Sequence, residues 1–569
     1  MPDPDLLTVA RGDAPADVVF RNGRVVNVLS GEVEEVDVAV AKGTVAGLGE
    51  GYEGAEEVDL AGSWLVPGLV DAHVHVESSL ATPREFARAV LPRGTTTVVS
   101  DPHEIANVHG LEGIRYMLDS SEDLPLQVFI MASSCVPATH MGTAGATLDA
   151  EALRSLLDHP RVLGLAEVMN FPGVIHGDPD VMEKVEAFRH RVIDGHAPGV
   201  RGKPLNAYAA GGPTSDHECT TPEEALEKLR RGIFVFLREA TNARNLEALL
   251  PMVTPANRRR VALCTDDRQP PDLLDEGGID AMVRTVIQSG IEPVEALRLA
   301  TLNPAEHFGL HDRGAIAPGR RADLLVVDEL ERLHITRVYA GGVEVARDGK
   351  ARSWELGPAP VPPMPSMTVD WDEVDFRIEG REGEARVIEA IPDQIVTGSR
   401  TVRPLIRNGE VLADTERDIL KIAVVERHQG SGRVAVGLVT GIGLEEGSIA
   451  GTVAHDHHNL IVIGADDTSM AAAARRVAEM GGGLAVARGG DVLEDLALPV
   501  GGLMSADPIE KIRRELDRVV EAARTLGSAL HDPFMAMSFL GLEVIPTLKI
   551  TDQGLVDVEA FEPVDLWVD

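Results

Sequence analysis

The sequence predicts a (β/α)8 TIM-like barrel carrying a small composite β-sandwich and a C-terminal α/β domain. Three observations predict it. Strand-like apolar runs alternate with helical stretches through the centre of the chain, at Leu69–Val76, Thr95–Ser100, Gln127–Ser133, Val162–Glu167, Arg191–His196, Leu205–Ala210, Ile233–Arg238 and Val261–Thr265. Eight strands over ~240 residues is the arithmetic of a barrel. Nearly every run ends in a residue able to bind metal or move a proton, as the carboxyl-end face of a barrel requires. Two glycine-punctuated β-rich stretches flank this centre, and prolines crowd the seam Pro358–Met367 (PAPVPPMPSM) before a further globular stretch. The expected division is residues 1–65 plus 310–360 for the sandwich, 66–309 for the barrel and 368–569 for the C-terminal domain.

The flanking β-rich pieces are DVVFRNGRVVNV and VEEVDVAVAKGTVAGL on one side, and AIAPGRRADLLVVD and HITRVYAGGVEVARDG on the other. They are expected to pair into one small sheet unit. Within the barrel, Thr221–Arg231 and Val294–Ala300 read as helices. Beyond the proline seam, the strand-like runs ILKIAVVER, VAVGLVTG and NLIVIGAD alternate with helical DDTSMAAAARRVAEM and PIEKIRRELDRVVEAARTLG. Ile512, Leu516, Val519 and Val520 form an apolar stripe at helical spacing, so core packing is the expected role of that helix.

Composition narrows the function. The chain has 569 residues, 44% of them hydrophobic, and a formal net charge of −38. The apolar content is that of a globular protein, and no run approaches the ~18 apolar residues of a membrane span. The negative charge argues against nucleic acid or an anionic membrane as partner. The N-terminus lacks the basic-then-apolar pattern of a secretory signal, and a cytoplasmic protein is expected. There are 8 lysines against 45 arginines; acid excess with scarce lysine fits adaptation to high salt, and a GC-rich genome gives the same bias. Cys135, Cys219 and Cys264 are too few and too scattered for a disulfide framework or a thiolate zinc site.

The chemistry lies at the run ends. His73 and His75 stand two apart on a strand, so both imidazoles share a face. The second run ends Asp101-Pro102-His103-Glu104, the fourth at Glu167, the fifth at His196; the sixth leads into Asp216-His217-Glu218, and the last ends at Asp266. A lone histidine at a strand end is usually a satisfied polar residue. Six ligand-type residues at the ends of separate strands, in barrel order, are a different matter, because burying them unpaired is costly. His73, His75, Glu167, His196, His217 and Asp266 are therefore expected to build two overlapping metal sites, with Glu167 bridging. Asp266 can bind one ion while facing the water it activates. The mixed N/O set suits Mn²⁺ or Fe²⁺, and also Zn²⁺, and a dinuclear pair makes hydroxide at neutral pH.

PGLVDAHVH resembles the signature of the amidohydrolase superfamily. DAHVHVESSL, TTTVVSDPHEIANVHG, GLAEVMNFPGV, DGHAP, CTDDRQPPDL and the C-terminal HDHHNLIVIGADD and HDPFMAMSFLGLEVIPTLKITDQGLVDV resemble, more narrowly, its adenine deaminase family of bacteria and archaea. The resemblance covers essentially the whole chain. It implies the same six metal positions, with manganese or iron usual, and deamination of adenine to hypoxanthine and ammonia. It also implies a homodimer or higher assembly, with adenine and water as the small-molecule substrates. Many amidohydrolases place a modified lysine on strand four; this chain has Glu167 there, which weakens a hydantoinase or dihydroorotase reading.

In the expected mechanism a metal-activated hydroxide attacks C6 of the purine, with Asp266 taking its proton. Glu104 is the candidate ring-side acid, provided its pKa is raised, with the alternative that it is a carboxylate that only orients its neighbour His103; His217 counts in both the catalytic and the metal set. Ser133-Ser134 is expected to face substrate, and Arg238 either to touch a purine edge or to neutralise surrounding acids. His455-Asp456-His457-His458 is a conspicuous cluster that could bind metal or cap the barrel mouth over substrate, or be a solvated turn; it is left outside the metal site. The rivals are an amidohydrolase acting on another base or a cyclic amide, and a non-catalytic scaffold, which filled ligand positions disfavour.

Overall fold

A computed structural model describes residues 3–392 and 394–568. Eight parallel strands form the centre: β1 (Leu69–Val74), β2 (Thr95–Ser100), β3 (Gln127–Ala132), β4 (Val162–Val168), β5 (Val192–Gly195), β6 (Ser215–Asp216), β7 (Phe234–Arg238) and β8 (Val261–Cys264). β1 to β5 pair in sequence order, as do β6 to β8. The ring closes where Asp266 N donates to His73 O (3.0 Å) and Val74 bridges Asp266. Thr214 N donates to Ile193 O (2.8 Å) and joins the other seam. β1 and β2 are buried at every position, as strands covered on both faces must be.

One expected strand is a helix. Leu205–Ala210 lies within the helix Gly202–Ala210, and the sixth strand is the two-residue β6. Leu205 and Tyr208, three apart, are its buried residues, which is helical and not alternating spacing. Gly211-Gly212-Pro213 then breaks the chain before β6.

The flanking β-rich stretches meet in space. Leu324–Glu329 pairs antiparallel with Trp64–Pro67, so a seven-stranded sheet draws strands from both sides of the barrel. A four-stranded sheet centred on Ala16–Arg21 packs against it through Phe20, Val40, Leu65 and Leu324. The proline seam carries no helix or strand. It is nonetheless anchored, because Ser366 is buried and donates to Gly481 O (2.8 Å).

The C-terminal half is built on a largely antiparallel sheet that includes Leu420–Val425, Val434–Thr440 and Leu460–Gly464. Helices Asp467–Glu479 and Ile509–Thr525 pack on it; Ile512, Leu516 and Val519 are buried and Val520 partly so. This half covers the barrel mouth. Ser505 pairs with the segment after β1, where Ser505 N donates to Leu80 O (2.8 Å), and Thr143 N, after β3, donates to Asp552 (2.8 Å). Among the described residues no helix is long and apolar enough to cross a membrane.

Candidate active site

Each strand end delivers its polar residue to one point. His73 and His75 leave β1 with their Nε2 atoms 3.1 Å apart. Asp266, just past β8, places Oδ1 3.1 Å from His75 Nε2 and 3.5 Å from His73 Nε2. Glu167, near the end of β4, sits between the two halves of the cluster. Its Oε1 is 3.2 Å from His75 Nε2, and its Oε2 is 2.7 Å from His196 Nδ1 and 3.3 Å from His217 Nε2. All six are buried. Asp266 adopts a left-handed backbone (φ 57°), a conformation costing on the order of 1 kcal/mol that aspartate tolerates better than most residues and that recurs at functional sites.

The neighbouring groups fix these side chains. Asp194 Oδ2 is 2.9 Å from His73 Nδ1, and Asp101 O is 2.9 Å from His75 Nδ1. A partner on the far nitrogen holds the tautomer and aims the other nitrogen inward. Burial would raise the Glu167 and Asp266 carboxyls. The imidazoles of His196, His217 and His75 outweigh it at Glu167, and His73, His75 and Arg238 do so at Asp266, so both stay well below the usual carboxylate range. Arg238 Nη1 is 3.0 Å from Asp266 Oδ2, and the same guanidinium grips Glu218. Of its two expected roles, Arg238 therefore neutralises acids.

The six residues fit a divalent cation. His196 Nε2 and His217 Nδ1 are buried without any partner, and two imidazole nitrogens face each other across 3.1 Å. His73, His75 and Asp266 gather into one ligand group, and Glu167, His196 and His217 into another. Such groups are stable only when a cation or protons sit between them.

His103 and Glu104 open helix α1 (His103–Ser120) beside the cluster. His103 Nδ1 is 3.0 Å from Asp101 Oδ2 and 3.5 Å from Glu167 Oε1; its Nε2 is 3.3 Å from Glu104 Oε1. Glu104 departs from expectation. Burial would raise its carboxyl, yet His455, His458 and His103 hold it well below the usual range. His455 Nδ1 is 2.8 Å from Glu104 Oε1, and His458 Nε2 contacts Oε2. This direction is opposite to the raised carboxyl a ring-side acid needs and favours the other role open to Glu104, a carboxylate beside His103. Ser133 and Ser134 also turn away from substrate space: Ser133 donates to Asp101 (2.7 Å) and Ser134 to Glu167 O (2.6 Å).

The C-terminal half reaches the site through the His455–His458 cluster, which is a buried part of the pocket wall and not a solvated turn. His455 and Asp456 line the same pocket as the barrel cluster, together with Met535, Phe539, Leu542 and Ile545. The density of histidine in HDHH and its family resemblance signalled it, but no spacing told which side chain matters. Arg427, fully buried, holds this segment by donating to the carbonyls of His458, Ser366 and Gly501. All three cysteines are free and buried.

A closed barrel with histidines and carboxylates converging at its carboxyl end defines a metal-dependent hydrolase of the amidohydrolase class, and its cofactor is a divalent metal. Residues 64–351 match the amidohydrolase family model, and residues 394–562 match the adenine deaminase C-terminal domain. The chain is 53% identical to an adenine deaminase from Desulfatibacillum aliphaticivorans over 569 residues, covering 100% of both chains. It is 46% identical to one from Methanothrix thermoacetophila over 568 residues, covering 99% of both. Among solved structures, a zinc-bound adenosine deaminase from Xanthomonas campestris aligns with a TM-score of 0.46 at 18% identity, over 60% of this chain and 95% of that one. The chain belongs to the adenine deaminase family of amidohydrolases.

Proposed function

We propose that the protein hydrolyses adenine to hypoxanthine and ammonia, using His73, His75, Glu167, His196, His217 and Asp266 to hold two divalent ions, Mn²⁺ or Fe²⁺ first and Zn²⁺ as an alternative. The observation that carries the reading is the convergence of these six buried side chains on one pocket, in a chain related to adenine deaminases along its whole length. When bound, the ions acidify water and polarise the carbon under attack.

The protein groups do the rest. Asp266, anionic and braced by Arg238, accepts the proton of the attacking water. The oxygen adds to C6, and charge builds on the ring nitrogens. The His103–Glu104 pair holds the proton for N1, with the imidazole as donor and the Glu104 anion keeping it charged. The C6–N6 bond breaks as the amine receives the proton taken up by Asp266, ammonia leaves, and the proton remaining on the new C6 oxygen is released to restore the charged His103 imidazole. His217 lies at the junction of cluster and pocket, 3.3 Å from Glu167, and serves both to hold metal and to position the reacting carbon.

In this reading residues 1–65 with 310–360 brace the barrel from outside, 66–309 hold the chemistry and 368–569 cover its mouth. The working form is a cytoplasmic homodimer or higher symmetric assembly, which light scattering on the purified protein tests. The deciding experiment is ammonia release from adenine by Mn²⁺-loaded protein at low and at multimolar KCl, with cytosine, guanine and adenosine as controls. Turnover of adenine alone supports the reading. Metal-loaded protein inert toward adenine at every salt concentration overturns it.

A further inference from the structure

We propose that His103, Glu104, His455 and Asp456 form a site for a third divalent cation, Mn²⁺ or Zn²⁺ in kind, and that filling it stops the reaction by taking the His103 nitrogen that gives N1 its proton. The site follows from geometry; the inhibition rests on the adenine reading above.

None of the four belongs to the six residues of the dinuclear cluster. His103 and Glu104 come from the start of α1, and His455 and Asp456 from the segment that Arg427 holds down. All four are buried, and one ligand atom from each lies within 4.8 Å of the other three. His455 Nδ1 is 2.8 Å from Glu104 Oε1 and 3.9 Å from Asp456 Oδ1. His103 Nε2 is 3.3 Å from Glu104 Oε1 and 3.6 Å from Asp456 Oδ1. Four ligands each ~2.1 Å from a tetrahedral ion stand about 3.4 Å apart, and these separations bracket that value.

Orientation matters as much as spacing. Neither oxygen of Glu104 and neither of Asp456 has a hydrogen-bond partner, although imidazole nitrogens stand this close. The nitrogens and oxygens are near one another without being aimed at one another, as the ligands of a shared ion are. Two buried carboxylates in that state are costly, and one divalent cation matches their charge. Each imidazole is also braced from its far side, as metal-binding imidazoles are. Asp101 Oδ2 is 3.0 Å from His103 Nδ1, and the His455 ring stacks on Phe539 with centroids 4.6 Å apart and planes at 9°. The mixed N/O set suits the same metals as the dinuclear cluster.

The placement gives the site its effect. His103 Nδ1 is 3.5 Å from Glu167 Oε1, and Nε2, the opposite nitrogen, faces Asp456. A third ion would therefore sit one imidazole ring away from the catalytic pair. His103 Nε2 can carry the proton for N1 or ligate an ion, but not both. Protein with two ions turns over; protein with three has lost its acid.

The test uses full-length protein holding two equivalents of Mn²⁺ and titrates in more Mn²⁺. Free Mn²⁺ is counted by electron paramagnetic resonance, and adenine turnover is read on the same samples. A third equivalent should bind, and turnover should fall along the same curve, by ~10²-fold or more at saturation, the worth of a general acid. Asp456→Ala and Asp456→Asn should keep the first two equivalents, and the midpoints of binding and inhibition should both move to at least ~10-fold higher free Mn²⁺. Asp456→Asn keeps the side-chain shape and serves if the alanine variant does not fold, as melting temperature will tell. Binding that stops at two equivalents up to millimolar Mn²⁺ overturns the proposal. So does a third equivalent that leaves turnover unchanged, or one that binds both variants at the wild-type midpoint. Two-metal protein inert toward adenine defeats the parent reading and the inhibition with it, whereas the Mn²⁺ count decides the site by itself.

Discussion

Asp194 Oδ2 lies 2.9 Å from His73 Nδ1, with both side chains sealed from solvent. Asp194 also accepts from Ser215 Oγ at 2.5 Å, so strand β6 fixes it in turn. Asp194→Asn keeps the size and removes the charge that orients His73. Metal affinity should drop about 10–100-fold, measured by competition with a chelator of known affinity. An unchanged affinity would show that His73 needs no help from β5.

Arg238 is the hinge of a second expectation. It pairs with Glu218 and Asp266 in a site where all three side chains are buried. Arg238→Met leaves two carboxylates without their cation, a loss of about 3–5 kcal/mol for a buried pair broken on one side. The melting temperature should fall, and turnover with it, because Asp266 would then take up protons in a higher pH range. Adding Glu218→Leu should restore part of the melting temperature, since an apolar pair replaces a lone charge; a double variant less stable than Arg238→Met would contradict this.

Glu104→Gln removes the anion beside His103 while keeping its shape. Turnover of adenine should drop by ~10²–10⁴, the usual worth of a proton-transfer group, with metal content intact. Full activity in this variant would remove the His103–Glu104 pair from the reaction.

The pair His457–Glu543 predicts how stability varies with pH. Their side chains are 2.7 Å apart, and Glu543 also accepts from Thr139 at 2.7 Å. Burial opposes both charges, yet Glu543 lifts His457 above its ordinary 6.5, and His457 holds Glu543 below its ordinary 4.5. The raised imidazole contributes stability that is full below pH 6.5 and lost as pH rises through its folded value. The depressed carboxyl contributes stability present above pH 4.5 and lost as pH falls through its folded value. His457→Gln keeps an N–H toward Glu543 but does not titrate. Melting temperature above pH 6.5 should therefore fall less steeply in the variant than in wild type; parallel curves would assign the alkaline loss elsewhere.

The sequence disclosed what local patterns can encode. His73 and His75 are visible because two-residue spacing on a strand means a shared face, and Glu167, His196 and Asp266 because apolar runs stop at them. Leu205–Ala210 misled because a short apolar stretch can be read with either period until the burial of Leu205 and Tyr208 is known. The Glu104 carboxylate misled for another reason. Its ionisation depends on His455 and His458, which lie far along the chain, and no local pattern connects them. Asp194 was hidden in plain view, two positions before a ligand it does not itself touch.

Chain synthesis gives the roofed pocket a further meaning. Every residue of the metal cluster has been joined to the chain once Asp266 is added, but His455, Phe539 and Ile545 are translated much later. A nascent barrel would carry an assembled cluster beneath an open mouth, wet and indifferent to the shape of what enters. The reactive centre and its selectivity thus arrive at different times from different parts of the chain, and the interval between them is set by the ribosome.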